Sequence, residues 1–336
     1  VQPGRAIQDG EVFAGHRNEY AMLDKQISWD PTDFVIKSPD ETDTSIPASE
    51  RLYFTSEYQR KIVKATKLGH APIQLSTGNT VVGQYDTYAA ALKAIPVDGT
   101  GEYTITNLIE RNFEESDAEV LKSFSNKNVR LKFVSGTRAD GIDNGLYRIR
   151  VRQRVLQLPE NIDVTFENIL LKYEQGDGKY LEFVNNGGVL TFGDNVRFIA
   201  GESNTETEGK ATVYGGSTTN ALTGSSTVII RSGSFTAVYG AGTMPQTGNA
   251  AVYAMGGTMD KVFPGGTAGG TVTGNTTISL TGGKTKSPVY GGGEGAKVVG
   301  NTEIIISGSY PFTADATDTS TYGGGKGAEV EGDSTI

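Results

Sequence analysis

The 336-residue chain contains no cysteine, so a small secreted fold held together by disulfides is excluded. It also lacks any stretch of the roughly 18 apolar residues that a membrane-spanning helix requires. Two histidines are too few for a metal site built from imidazole ligands. The net charge of -9 creates no positive field that would attract phosphates. We therefore expect no membrane insertion by this segment, no nucleic-acid partner and no cofactor.

Glycine is abundant, and its distribution divides the chain near residue 210. The last 126 residues contain 27 of the 45 glycines but only 14 charged residues, against 55 in the first 210. A glycine period of three is absent, which excludes collagen. The two parts are therefore analysed separately.

The Gly-rich part is an internal repeat. Each unit has a glycine, a small polar residue, a run of alternating β-branched residues, and then a turn that contains glycine. The first glycines of successive units lie 24, 26, 26 and 32 residues apart, at Gly224, Gly248, Gly274, Gly300 and Gly332. A single unit cannot bury its own inner face. Stacked units bury a continuous core and pair each strand with the coils above and below.

This repeat predicts an all-β fold, a right-handed parallel β-helix whose handedness follows the general preference of parallel crossovers. A leucine-rich repeat would need a longer leucine pattern, and a propeller blade needs about 40 residues or more. A globular β-sandwich would not keep such a regular register. We expect a monomer in which residues 211–336 form Gly-rich coils that continue beyond Ile336.

The Gly-poor part fits the start of the same β-helix. Tyr88–Ile95, preceded by the capping residue Thr87, and Ser116–Phe124 are predicted to form short helices. Strands are predicted over Tyr103–Ile109, Val129–Val134, Tyr147–Leu158, Ile162–Tyr173, Leu181–Phe183 and Val189–Phe198. We predict residues 81–210 to be the entrance coils, with the short helices serving as a cap.

Residues 1–80 are predicted to be an irregular N-terminal region that covers the open first coil, which would otherwise invite end-to-end pairing. A polar stretch between Pro39 and Pro47 indicates a loop. Phe54, Tyr58 and Ile62 are four residues apart, which predicts an amphipathic helix over Ser49–Lys67.

The repeated unit is well represented by Val289-Tyr-Gly-Gly-Gly293 followed by Gly300-Asn-Thr-Glu-Ile-Ile-Ile306. It resembles the Gly-rich repeats of Gram-positive cell-surface proteins. The strand-rich first part with its small helix looks like the pectate-lyase-like β-helix superfamily. These resemblances imply an extracellular bacterial protein, attached to the cell wall or cell surface, and many such proteins are adhesins.

One polar column recurs once per unit and holds Ser225, Asn249, Asn275, Asn301 and Asp333. Stacked side chains of this kind can bond along the coil axis and hold the turns. A ligand role is the alternative, and we favour the structural ladder.

An aromatic column shares the same period, at Tyr214, Tyr239, Phe263, Tyr290 and Tyr322. Exposed rings would suit the faces of sugars, whereas packed rings would form an offset stack. We favour packing, because Phe263 supplies no hydroxyl group.

The turn Gly292-Gly-Glu-Gly-Ala-Lys297 resembles the calcium-binding nonapeptide. Lys297 stands where that motif requires an aspartate ligand, and Ca²⁺ needs oxygen ligands. We therefore predict no metal site. The glycines are predicted to permit tight turns.

The candidate binding residues are basic and alternate along two predicted strands. They are Arg130 and Lys132 on the first strand, and Arg148, Arg150, Arg152 and Arg154 on the second. An extended strand aims alternate side chains at one face, so a basic stripe for a polyanion, such as a sulfated glycan or teichoic acid, is predicted. The competing interpretation is ion pairing across coils with Asp163 and Glu167.

The sequence favours a surface-exposed stalk or adhesin that binds a host glycan or protein, and it does not favour an enzyme. A ligand site is expected on the Arg-bearing part or on an insert such as Pro311–Ser320. Polysaccharide lyases and glycoside hydrolases of the pectate-lyase-like type are the main alternative, and they need carboxylates clustered on one coil face. The clustered acids, Glu114, Glu115, Asp117 and Glu119, have the pattern of a solvated loop that leads into a helix. A spacer without a ligand is the third hypothesis.

Overall fold

The computed structural model describes residues 12–15, 45–46, 52–57, 62–67, 69–138, 145–173, 180–200, 207–308 and 311–336. Most of residues 1–80 lies outside this set, including the polar stretch 39–47 except 45 and 46. In the described part the chain winds into a parallel β-solenoid of about seven turns. This architecture confirms the predicted fold class.

The first described strands form a small antiparallel sheet, with strands numbered in chain order as β1 (Val12–Gly15), β2 (Leu52–Glu57) and β3 (Ile62–Lys67). Leu52 pairs with Lys67 and Glu57 pairs with Ile62, so β2 and β3 form a hairpin. The predicted helix over Ser49–Lys67 is therefore wrong. Both segments are rich in aromatic and β-branched residues, which favour an extended backbone despite the four-residue spacing of three apolar positions.

Sheet A has eleven strands and runs along the whole solenoid. Its members are β4 (Ile73–Thr77), β5 (Thr80–Tyr85), β6 (Gly101–Asn107), β8 (Val129–Ser135), β11 (Val164–Phe166), β14 (Gly188–Phe192), β18 (Ser226–Ile230), β20 (Ala250–Ala254), β22 (Thr276–Leu280), β25 (Thr302–Ile306) and β27 (Ser334–Thr335). Neighbouring strands are parallel from β6 onward. At the first edge, β4 and β5 form an antiparallel hairpin.

Two further sheets complete the coils. Sheet B contains β10 (Val155–Gln157), β13 (Leu181–Val184), β17 (Ala211–Tyr214), β19 (Ser234–Tyr239), β21 (Thr258–Phe263) and β23 (Lys284–Thr285). Sheet C contains β7 (Arg111–Phe113), β9 (Arg148–Val151), β12 (Ile169–Tyr173), β15 (Val196–Ala200) and β16 (Thr207–Glu208). The last strands, β24 (Val289–Tyr290) and β26 (Thr321–Tyr322), pair with each other in parallel.

The coils change shape where the Gly-rich repeats begin. Complete coils before this point visit sheets A, C and B in turn, and sheet C ends at β16. Later coils pass from sheet A to sheet B through a short turn such as Ser232-Gly233. The shorter units therefore omit the third strand.

Three long predicted strands are each divided at a corner of the coil. Asn168 separates β11 from β12 with a φ of 46°, and Asn195 separates β14 from β15 with a φ of 53°. A bend at residues 152–154 separates β9 from β10. Asparagine tolerates the left-handed conformation better than other non-glycine residues, so it can turn the chain there.

Two short helices cover the first end of the core, as the sequence predicts. They are α1 (Tyr88–Lys93) and α2 (Glu115–Lys122). The Thr87 hydroxyl caps α1 by accepting from the Ala90 N–H at 3.0 Å. Asp117 accepts from the Glu114 N–H at 2.9 Å and from the Ala89 N–H at 2.7 Å, so it joins the two helices.

The core is made of side-chain columns that follow the strand register. The column of sheet A contains Leu131, Val164, Leu190, Val228, Val252, Ile278 and Ile304, all buried. Beside it, the rings of Phe133, Phe166 and Phe192 stack with centroid separations of 5.5 and 5.8 Å. The strand register therefore places side chains of the same chemical type above one another in successive coils.

Buried hydroxyl groups join sheet A to the glycine turns across the coil. Ser226 donates to the Gly240 carbonyl oxygen at 2.5 Å, and Thr276 donates to the Gly291 carbonyl oxygen at 2.6 Å. Each turn glycine is also crowded by the next coil. A Cβ atom on Gly240 would lie 2.2 Å from the Pro264 carbonyl oxygen.

Replacing Gly240 with alanine is expected to lower the free energy of unfolding by about 1–3 kcal/mol, because the added methyl group forces adjacent coils apart. Thermal and urea unfolding would measure the change. Gly324→Ala is the control, since a Cβ atom there meets nothing within 4 Å. Equal stability of the two variants would contradict the close approach of these backbones.

Candidate functional site

The predicted basic stripe does not form. Arg148 and Arg150 lie on β9 and are only 2% and 1% exposed, so a polyanion cannot reach them. β9 ends at Val151, and the chain bends before Arg154. The prediction that four guanidinium groups share one open face is therefore wrong. A coil corner interrupts the alternation on which it depended.

One of the two buried arginines, Arg150, belongs to a charged cluster beside sheet C. In the strand register Arg150 lies beside Lys172, which is fully buried. The buried carboxylate of Glu110 accepts a hydrogen bond from Arg138 and lies 3.9 Å from the Arg150 guanidinium. Charges are tolerated in such a place only with partners, because burial removes their hydration. The cluster thus has a structural role.

Cross-coil ion pairs account for two further candidates. Lys132 pairs with Glu167, as the competing interpretation predicts. Arg154 pairs with Glu182, a partner that the sequence does not suggest. Asp163 pairs with neither. One of its oxygens instead accepts a hydrogen bond from the Val189 N–H at 3.0 Å.

Arg130 and Arg152 are the exposed members of the predicted set. Arg152 follows the end of β9, where its N–H donates to the Phe113 carbonyl oxygen at 3.0 Å. Arg130 lies on β8, and its guanidinium has no hydrogen bond or ion pair in the part of the chain that the structure describes. Arg130 is therefore the predicted basic residue best placed to meet a ligand.

The polar column is a hydrogen-bonded ladder. Ser225 accepts from the Asn249 N–H at 3.0 Å, and Asn249 accepts from the Asn275 N–H at 2.8 Å. The pattern continues from Asn275 to Asn301 and from Asn301 to Asp333, each at 2.9 Å. Side-chain oxygens thus hold successive turns together, which confirms the structural interpretation.

The aromatic column is a packed stack. Successive rings from Tyr214 to Tyr322 have centroid separations of 5.0–5.8 Å and are inclined by 7–18°. Tyr239 and Phe263 are only 4% and 1% exposed. Since each inner ring covers the faces of its neighbours, no face remains there for a sugar. Packing, which the sequence favours, is confirmed.

Glu294 lies beside this stack and holds an ion network together. It accepts from the Tyr239 hydroxyl and from Lys261, each at 2.5 Å, and from Lys326 at 3.1 Å. Burial raises the pKa of Glu294, but hydrogen bonds from Lys261, Tyr239 and Lys326 outweigh it and lower the pKa to about 2. Burial and the bond to Glu294 raise the pKa of Tyr239.

The calcium-like turn therefore uses its one carboxylate, Glu294, to bind lysine and tyrosine. Lys297 itself pairs with Glu331 and, at 3.4 Å, with Glu329. The described residues contain no group of three or more His, Cys, Asp or Glu side chains that could hold a metal ion. Among the same residues no helix is long and apolar enough to cross a membrane.

Two further segments singled out from the sequence each contain a buried residue. The insert Pro311–Ser320 starts inside the solenoid, because Phe312 is buried and forms a parallel bridge with Thr285. Its Asp315 forms an ion pair with Lys286 at 2.6 Å. In the acidic cluster, Asp117 is buried between the helices rather than solvated.

An open depression of about 360 Å³ remains on the entrance coils. Its polar lining consists of Lys127, Asn128, Arg130, Asn161 and Asp163. Two cations, two amides and one carboxylate can together bind an anion and its neighbouring hydroxyl groups. The sequence contains Arg130 as a candidate but gives no signal that joins the other four to it.

Replacing Asn275 with alanine is expected to lower the free energy of unfolding by about 0.5–1.5 kcal/mol, since the Asn301 N–H loses its acceptor. Asn275→Asp is the control, because it keeps an oxygen at the same position, as Asp333 does in the last described turn. Urea unfolding would compare the variants. Equal stability of the alanine and aspartate variants would show that the ladder bond contributes nothing.

The Glu294 network should make the stability of the protein depend on pH. The pKa of Glu294 in the folded protein is about 2, against a usual value of 4.5. The network therefore stabilises the fold fully above pH 4.5, and this stabilisation is lost as the pH falls through about 2. We expect Glu294→Gln to have a lower melting temperature than wild type at pH 7, and this difference should shrink between pH 4.5 and 2. Glu303→Gln, at an exposed position, is the control. A difference that is the same at every pH would contradict the network.

Comparison with known proteins gives no relative from which a role could be transferred to this chain. Neither a protein-family model, nor a curated protein, nor a solved structure matches this chain.

Proposed function

We propose that this chain is part of a stalk or adhesin on a bacterial surface, in which the solenoid presents a binding surface to a host glycan or protein. The observation that carries the proposal is the axial ladder. Every described turn from Ser225 to Asp333 is tied to the next by the same side-chain hydrogen bond. Sheet A and the aromatic stack connect the same coils.

Repeated connections along one axis suit a mechanical role. Each coil contacts only its neighbours, so a solenoid can be lengthened without a new core. Ion pairs on the outside also run between coils, as between Lys210 and Asp260 at 2.7 Å. The resemblance of the repeats to those of Gram-positive surface proteins supports an extracellular location.

Several outward carboxylates support a binding role over polysaccharide cleavage. Glu167, Glu182, Asp260 and Glu294 are all held by lysine or arginine. A carboxylate that is held by a cation and has a lowered pKa is a poor general acid near neutral pH, and Glu294 is in this situation. A glycoside hydrolase instead needs one carboxyl group whose pKa is raised.

The test is a binding screen of the folded chain against arrays of glycans and host extracellular proteins, followed by incubation of each bound glycan with the protein. We expect at least one specific ligand that is retained without shortening. Release of unsaturated or reducing sugar products would overturn the proposal in favour of a lyase or hydrolase. Failure to bind any array member, with circular dichroism confirming β structure, would reduce the segment to a spacer.

A further inference from the structure

The outer face of sheet A has side-chain columns of its own. In the strand register of β18, β20, β22 and β25, one outward column consists of Ile229, Tyr253, Ser279 and Ile305. Each of the four lies between core-facing positions of its strand, so all four point away from the core. We call these four residues the outer column. It carries no charge.

The sizes of these side chains leave a notch over β22. Tyr253 and Ile305 are 37% and 41% exposed, whereas Ser279 between them is only 8% exposed. The two large side chains lie on β20 and β25, two strand spacings or about 10 Å apart. A large apolar side chain from outside can therefore enter between them and cover Ser279. Met255, which is 45% exposed, extends the apolar surface beside Tyr253.

The order of sizes along the outer column is self-complementary, and this indicates what occupies the notch. A second copy can lie face to face with the first, related by a two-fold axis that runs parallel to the strands between β20 and β22. The axis reverses the order of the strands, so β20 faces β22 of the other copy and β18 faces β25. Tyr253 of each copy then enters the notch over Ser279 of the other, and Ile229 meets Ile305.

The column on one side of the outer column fits the same arrangement. Thr227, Ala251, Thr277 and Glu303 share one register position. The two-fold axis therefore sets Ala251 opposite Thr277, which are both small. Packed sheets lie about 10 Å apart, a distance that a tyrosine opposite a serine can fill while small pairs stand beside it. A two-fold interface requires this reciprocal matching.

The charges at the ends of the patch agree with the arrangement as well. Glu303 lies at one end, and Arg231, which follows β18, lies at the other. The two-fold axis sets Glu303 opposite Thr227, so it meets no like charge. It also brings Arg231 of one copy to the same end of the interface as Glu303 of the other, which gives opposite charges at both rims.

The outside of sheet B has the opposite character. Asp260 and Lys261 of β21 are bound by Lys210 and Glu294, respectively. Covering such ion pairs would remove their hydration, which costs free energy. Covering the uncharged outer column removes apolar surface from water, which is favourable. Sheet A is therefore the face on which two solenoids can pack.

We propose that this chain associates with a second copy of itself through the outer face of sheet A, with Tyr253 of each copy in the notch over Ser279 of the other. The inference goes beyond the proposed function, because it needs no host ligand. The patch is only four coils long, so the dimer is weak, with a dissociation constant on the order of 0.1 mM. The monomer expected from the sequence then persists in dilute solution.

The experiment is sedimentation equilibrium of the whole chain over a range of concentrations that spans this value. Ser279→Tyr fills the notch. The double variant Tyr253→Ser with Ser279→Tyr exchanges the large and the small side chain, and the two-fold axis keeps them opposite each other. Thr104→Tyr is the matched control, since it adds the same ring to an outward position of sheet A on β6, outside the patch. Circular dichroism and melting temperature would verify that each variant folds.

We expect Ser279→Tyr to weaken self-association at least about tenfold, because two tyrosines then oppose each other where one fits. The exchange variant should return to within about threefold of wild type, and Thr104→Tyr should stay within about twofold. Stronger association of Ser279→Tyr would indicate adhesion by exposed rings in general and would overturn the proposal. An exchange variant no better than Ser279→Tyr would overturn the two-fold arrangement.

A wild-type chain that stays monomeric throughout would overturn the dimer. Binding of a host protein from the array screen by this monomer, abolished in Ser279→Tyr, would assign the face to that protein instead. Neither result bears on the proposed surface function, which the array screen tests separately.

Discussion

Parallel hydrogen bonding between successive coils is the constraint on which the rest of this structure depends. It fixes adjacent backbones about 4.8 Å apart and sets every residue above its equivalent in the next coil. At this spacing like side chains must stack, so phenylalanines, tyrosines and asparagines form columns with their own kind. The turn glycines follow from the same constraint, because a Cβ atom on Gly240 would meet the next backbone.

The same spacing governs the charged surface. Like charges in neighbouring coils would repel, and the chain instead places opposite charges across coils, as in Lys132 with Glu167 and Lys261 with Glu294. The depression beside Arg130 lies on the entrance coils, where Lys127 and Arg130 have no carboxylate partner among the described residues.

Sequence patterns predict the regular elements well and the corners poorly. The repeats, both helices, the Asn ladder and the aromatic stack could all be predicted, because each depends on local spacing or on the repeat period. The helix over Ser49–Lys67 was wrong since hairpin pairing between β2 and β3 is not local. The stripe from Arg148 to Arg154 was wrong because a bend after Val151 and burial on sheet C cannot be inferred from alternation.

The sequence by itself determined that this protein is a stack of β coils, because a repeat of fixed length with alternating β-branched residues has an inner face that only stacking can bury. The tertiary structure alone decided which polar side chains face solvent. Arg150 and Arg130 both lie on strands in which basic and apolar residues alternate. Arg150 is nevertheless buried on sheet C, whereas Arg130 is exposed beside Asn128. The reason is physical: burial depends on which distant segments cover a strand, and pattern along the chain does not contain that information.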